Sequence, residues 1–124
     1  MPSKESELMG LGVPDTVARK IATRSVSLNL VATGTVITDA LDLVSEYNHF
    51  TTSSASTGMQ IPDWPLGSRV EIDNASGQTL NIFPPSATQT INAGSAGAAQ
   101  TIANNKYAIL TRVSLTDWRY VLVN

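Results

Sequence analysis

The sequence contains no cysteine and a single histidine, His49. The absence of cysteine excludes disulfide frameworks, thiolate zinc sites and cysteine nucleophiles. One imidazole also excludes metal sites that need two histidine ligands, and it leaves one candidate histidine base. We therefore predict that the chain is not an enzyme, and we expect no catalytic residue, no metal and no cofactor.

Charge is also scarce, since 15% of the 124 residues are charged, against roughly 25% in typical globular domains. Eight lysines and arginines face ten aspartates and glutamates, which gives a formal net charge of -2. A nucleic-acid interface normally needs a clustered basic face that displaces counterions. We therefore expect no nucleic-acid partner.

Long hydrophobic runs are missing as well. The longest, such as residues 120–123, are far shorter than the roughly 18 to 20 residues that span a bilayer. The first seven residues are polar and carry both signs of charge, unlike a secretory signal. These patterns predict a soluble protein made in the cytoplasm, with no membrane partner.

The chain divides by its hydrophobic period into an arm (residues 1–24) and a β domain (residues 25–124). Residues 8–14 are apolar but are interrupted by two glycines and end at Pro14, which is well placed in the first turn of a short helix. That helix is predicted at about residues 15–23, and it is too short to be stable without packing on another surface.

From Ser25 onward polar and apolar residues alternate, as in strands with one buried face. Residues 68–83 are predicted to form a β-hairpin around the turn Asn74–Gly77, and residues 107–123 are predicted to form a second hairpin. Residues 36–47 fit either a helical face or a loop leading to a strand at 44–52, and we favour the loop. The pattern predicts a mainly β fold, an antiparallel sandwich or small barrel of jelly-roll type.

Both faces of the last hairpin carry apolar residues. Ile109, Val113, Trp118, Tyr120 and Leu122 are assigned to one face, and Leu110, Val121 and Val123 to the other. A small sandwich has one internal face per sheet, so the second cover should be another subunit or the N-terminal arm. We predict a subunit interface that includes Leu110, Trp118, Val121 and Val123. The alternative is a closed barrel with scattered exposed aliphatic residues.

Four patterns could carry chemistry, and each has a plainer explanation. Glu46 and His49 would form an acid-base pair on a helix, but a lone surface histidine is the simpler interpretation. Asp39, Asp42 and Glu46 lack the spacing of a calcium loop, and the glycine pairs lack the context of a phosphate loop. Trp64 and Trp118 could form a sugar-binding platform, although aromatic residues in small domains usually serve as core or interface anchors.

Two blocks of sequence resemble small virion proteins of tailed bacteriophages. The first comprises residues 7–14 with Ala18 and residues 21–22, and it resembles the start of those proteins. The second comprises residues 66–70, Asn74, 80–85, 91–94, Ala99 and 116–118, and it resembles a C-terminal β module common among them.

The resemblance implies a structural component of the phage particle, a head decoration or cement protein that forms a homotrimer on the capsid surface and binds the major capsid protein. The arm would then dock on the shell through its apolar residues, Leu8, Met9, Leu11, Val13, Val17 and Ile21. The same kind of β module serves in tail fibres, baseplates and carbohydrate-binding receptor proteins, which remain the alternatives.

Overall fold

The computed structural model describes residues 24–123, which form ten β-strands with no helix among them. The strands are β1 (Val26–Leu30), β2 (Leu41–Asp42), β3 (Tyr47–Phe50), β4 (Gly58–Gln60), β5 (Arg69–Asn74), β6 (Leu80–Phe83), β7 (Thr90–Ile91), β8 (Gln100–Ile102), β9 (Lys106–Arg112) and β10 (Asp117–Val123). The prediction of a mainly β chain is confirmed. The helix predicted at about residues 15–23 lies outside the described residues.

The strands form two sheets. The larger sheet has the order β1-β3-β5-β9-β10-β7, and the smaller has the order β2-β4-β6-β8. From β1 to β9, each strand lies in the sheet opposite to that of the strand before it. The connections therefore cross between sheets, and only β9 and β10 form a hairpin, as predicted for residues 107–123.

Successive turns of the chain stack on one another as in a solenoid, because each turn adds one strand to each sheet beside the strand of the turn before. Strands β1, β3 and β5 are parallel neighbours in the larger sheet, and β2, β4 and β6 are parallel neighbours in the smaller one. Strands β8 and β9 run antiparallel to β6 and β5 and continue the stack in reverse. The sheets are therefore mixed, which corrects the predicted antiparallel arrangement, and the architecture is not a clear jelly roll.

The hairpin predicted for residues 68–83 is wrong, because β5 and β6 belong to different sheets. The side chain of Asn74 forms the corner between them and is fully buried. Its Nδ2 donates hydrogen bonds to the carbonyl oxygens of Gln78, Ile102 and Ala103 at 2.8, 3.0 and 3.2 Å. Its Oδ1 accepts from the Ser76 amide at 3.1 Å. One side chain thus satisfies backbone groups that would otherwise be buried without partners.

One hydrophobic core lies between the sheets. It consists of Ala32, Leu43, Phe50, Met59, Ile61, Val70, Ile72, Leu80, Ile82, Ile91, Ile102, Ala108, Leu110 and Trp118. Gly58 in β4 borders this core, where a Cβ atom would lie 2.8 Å from the Phe83 ring and 2.9 Å from the Asn81 carbonyl oxygen. Only glycine allows the two neighbouring strands to approach this closely.

The ambiguous stretch at residues 36–47 is a loop rather than a helix, as favoured from the sequence, but it contains the short strand β2, and the strand predicted at 44–52 is limited to β3. The Asp39 carboxylate closes the loop by accepting hydrogen bonds from the amides of Thr35 and Val36 at 3.0 and 2.9 Å. This local hydrogen bonding is typical of aspartate in turns and competes with helix formation.

Candidate interaction surface

The register of β9 and β10 decides which residues of the last hairpin face outward. Tyr120 lies opposite Leu110, and Val121 lies opposite Ile109. Directly opposed residues share a face of the sheet. Leu110 and Tyr120 therefore face the core, whereas Ile109 and Val121 face away from the smaller sheet.

This register corrects two of the predicted interface residues. Leu110 and Trp118 are fully buried within the chain and belong to its core. The indole Nε1 of Trp118 donates a hydrogen bond to Gln89 Oε1 at 3.0 Å, so the polar end of the ring is also satisfied internally. Neither side chain reaches a surface that a second subunit could contact.

The other two predicted interface residues are exposed. Val121 and Val123 retain 56% and 42% of their accessible surface, and they lie opposite Ile109 and Tyr107. We call the face formed by Tyr107, Ile109, Val121 and Val123 the outer stripe. It is apolar apart from the tyrosine hydroxyl, and exposed apolar surface of this kind is a usual feature of association sites.

The outer stripe continues to a sheet edge. Strand β7 pairs with β10 only at Asp117 and Trp118. Just beyond this pairing, Asn92 makes the next two hydrogen bonds to β10. Its Oδ1 accepts a hydrogen bond from the Tyr120 amide at 2.9 Å, and its own amide donates to the Trp118 carbonyl at 2.7 Å. Residues 121–123 have no strand on that side among the described residues, so their backbone could pair with another chain.

The same face of the sheet is polar where β3 and β5 cross it. Asp73 Oδ2 lies 2.9 Å from His49 Nδ1 and accepts the Tyr47 hydroxyl at 3.3 Å. Burial, together with the nearby Asp73 carboxylate, raises the pKa of Tyr47. Tyr107 donates its hydroxyl to the Glu71 carboxylate. These cross-strand contacts hold β3, β5 and β9 in a fixed arrangement.

Arg24 completes this polar cluster. Its guanidinium group forms an ion pair with Glu71 and lies 5.5 Å from the centre of the Tyr47 ring. The pairing of Glu46 with His49 that a helix would have allowed is not formed, because His49 lies in β3 and its partner is Asp73 on the neighbouring strand. The ion pair and the hydrogen bonds of this polar cluster therefore link β3, β5 and β9 on the same face as the outer stripe.

The acidic residues Asp39, Asp42 and Glu46 do not converge on a metal site. Asp39 is occupied in its loop. Within residues 24–123, no group of three or more histidine, aspartate or glutamate side chains is arranged to hold a metal ion.

A cleft of about 310 Å³ lies at one end of the larger sheet. Ser25, Glu46, Trp64, Pro65, Ser68 and Arg69 line it. The alternative of a platform of two tryptophans is not formed, because Trp118 is an anchor in the core and only Trp64 borders this cleft.

The arm residues predicted to dock on a shell, Leu8, Met9, Leu11, Val13, Val17 and Ile21, lie outside the described residues.

Sequence reasoning missed the polar cluster because its partners are distant in the chain. The signal was present in the alternation of β5, which places Glu71 and Asp73 on one face, and of β3, which places Tyr47 and His49 on one face.

The described part of the chain contains no helix long and apolar enough to cross a membrane. No protein-family model, curated protein sequence or solved structure matches the chain.

Proposed function

We propose that the chain is a structural subunit of a tailed-bacteriophage particle, a capsid decoration protein that assembles as a homotrimer and stabilises the head shell. The observation that carries the assembly part of this proposal is the outer stripe, in which Val121 and Val123 are exposed beside Ile109. The phage assignment is supported by the resemblance of the two sequence blocks.

The outer stripe suits contact between copies for a physical reason. Covering apolar surface contributes roughly 25 cal/mol for each Å² removed from water. An obligate interface of about 2,000 Å² or more would require neighbouring surfaces as well, and the free edge at residues 121–123 adds backbone hydrogen bonds to the stripe. Each subunit could offer the stripe and edge to the next in a closed ring, and the number of three copies comes from the resemblance to phage decoration proteins.

In this proposal the arm attaches the trimer to the major capsid protein. A single apolar arm binds weakly, because ordering it and losing free translation offset most of the gain from burial. Three arms on one body make the later contacts intramolecular at about millimolar effective concentration, which raises avidity by roughly 10² to 10⁴. Association of the body would therefore control attachment.

The first experiment measures the mass of the full chain in solution by light scattering. We expect three times the 13.2 kDa of one chain, and a monomer for Val121→Asp. Val44→Asp is the matched control, because Val44 is 73% exposed and lies between β2 and β3, and β3 is three strands from β10 in the larger sheet. A native chain that remains a monomer at micromolar concentration contradicts the proposal.

The second experiment adds the native protein and Val121→Asp to undecorated phage heads and locates the bound protein by electron microscopy. We expect the native protein on the head surface and loss of binding by the variant. Density at a tail fibre or baseplate instead would favour a tail or receptor-binding role. Equal binding by the monomeric variant would show that avidity plays no part.

A further inference from the structure

We infer that the cleft beside Trp64 binds a saccharide. This inference is independent of the proposed assembly through the outer stripe. It rests on three features of one cleft: an aromatic side chain, polar side chains without partners among residues 24–123, and a loop held by hydrogen bonds.

Trp64 supplies the apolar surface of the cleft. It is half-buried, packs against the core cluster and also lines the cleft together with Pro65. A pyranose ring has an apolar face of C–H groups that stacks on an indole, and a fixed aromatic ring offers this contact at little entropic cost.

The polar residues of the cleft are available to a ligand. The Arg69 guanidinium group and the Ser68 hydroxyl form no hydrogen bond or ion pair with any residue of the described part of the chain. Glu46 Oε1 has one long contact, 3.4 Å from the Ser25 amide. A guanidinium group, a carboxylate and a hydroxyl together can donate to and accept from the hydroxyl groups around a sugar ring.

The charges around the cleft favour a neutral ligand over an anion. Arg69 is balanced by Glu46 in the cleft, and an adjoining hollow of about 110 Å³ adds Arg24 and Glu71 to the same two residues. Two cations against two carboxylates leave no excess positive charge for a phosphate or sulfate. A volume of about 310 Å³ is at the small end of ligand sites and suits one or two sugar units.

The loop that carries Trp64 is held in place by the side chain and backbone of Arg112. Arg112 is largely buried, and its Nη1 donates to the Trp64 carbonyl at 2.6 Å and to Asp63 Oδ1 at 3.1 Å. The backbone of Arg112 also bonds to Gly67 and Ser68 at 2.9 and 3.0 Å. The cleft is therefore formed before any ligand arrives, which reduces the cost of binding.

The test is a titration of the full ¹⁵N-labelled chain with the methyl glycosides of glucose, galactose, mannose and N-acetylglucosamine. The chain has two tryptophans and therefore two indole N–H signals. We expect at least one glycoside to shift the Trp64 signal with a dissociation constant of about 1 mM. The Trp118 signal serves as an internal control, because that indole is buried and bonded to Gln89.

Variants assign the binding to the cleft. We expect Arg69→Ala to weaken binding by about tenfold on the Trp64 signal, whereas Arg119→Ala, a matched arginine on β10, leaves it unchanged. Trp64→Ala lacks that signal, so its binding is followed by the backbone amide signals of Ser68 and Arg69, and it should also weaken by about tenfold. Because Trp64 packs against the core, Arg69→Ala decides the matter if Trp64→Ala does not fold. Val121→Asp should bind as the native chain does, which separates this inference from the assembly proposal.

Three outcomes overturn the inference. The first is that no glycoside shifts the Trp64 signal at about ten times that concentration. The second is a glycoside that shifts Trp64 with equal affinity in Arg69→Ala. The third is inorganic sulfate that competes for the cleft and binds more tightly than every glycoside, which would identify an anion site.

Discussion

Asn74 and Ile102 are joined by a hydrogen bond of 3.0 Å from the side-chain amide to the backbone carbonyl, and this bond ties the end of β5 to the end of β8 in the opposite sheet. The two residues are 28 positions apart in the chain. The corner between the sheets therefore depends on a contact that forms only when both sheets are in place.

Asn74→Ala is expected to destabilise the chain by roughly 2 to 4 kcal/mol, because it leaves several buried backbone groups without a partner. Urea unfolding followed by circular dichroism measures the change in unfolding free energy. Asn104→Ala is the control, since its Oδ1 accepts one hydrogen bond from Gly77 at an exposed site. Equal effects of the two substitutions would show that the corner is not fixed by Asn74.

Gln89→Leu should destabilise the chain by roughly 1 to 3 kcal/mol, because the buried Trp118 indole loses its acceptor. The oligomeric state should not change, since Trp118 lies in the core. Light scattering on the folded variant checks this point. A change in oligomeric state would assign Trp118 to a subunit interface.

The Asp117 carboxylate is expected to make the stability of the fold depend on pH in acid solution. Burial opposes ionisation of its carboxylate, but hydrogen bonds from the Thr90 hydroxyl and the Ala93 amide, together with Arg119, hold its pKa below the usual value of 3.8. A lowered folded-state pKa adds stability above pH 3.8 that is lost as the pH falls through the folded pKa.

Asp117→Asn should therefore cost about 1 kcal/mol at pH 7, and the difference from the native chain should shrink as the pH falls below 3.8. Urea unfolding of both proteins at neutral and acid pH measures that difference directly. A cost that stays the same at both pH values would mean that the charge of Asp117 does not stabilise the fold.

Removal of residues 1–23 should leave a folded β domain that still associates but no longer binds undecorated heads. The deletion spares Arg24 and its ion pair with Glu71. We expect the thermal midpoint to change by less than about 4 °C, which corresponds to under about 1 kcal/mol. Unfolding of the truncated chain would contradict the division between arm and β domain.

The sequence predicted the strands more reliably than the way in which they pair. Alternation in residues 68–73 and 79–83 shows that each segment is a strand with one buried face. Two strands of a hairpin show this pattern, and so do two strands in opposite sheets. The turn Asn74–Gly77 was therefore compatible with a hairpin within one sheet and with a connection between the two sheets. The choice depends on the contacts of Asn74 with Ile102 and Ala103, which no local pattern contains.

The predicted interface shows the same limit at the level of single residues. Within β10, alternation placed Trp118 opposite in orientation to Val121 and Val123, as the structure has it. The prediction then joined Leu110 of β9 to the outward set, although Leu110 lies opposite Tyr120 and faces inward. Alternation assigns faces within one strand, but the pairing across a turn depends on the register.

The contact between Arg24 and Glu71 has a mechanical consequence. Strand β1 is the end strand of the larger sheet, and β3 is its one neighbouring strand among the described residues, so a pull on the chain ahead of β1 would load the pairing of β1 with β3 first. Arg24 precedes β1, yet its partner is on β5, two strands further into the sheet. The ion pair therefore ties the start of β1 directly to the middle of the sheet, although a pair in which Arg24 is half exposed contributes only about 0 to 1 kcal/mol.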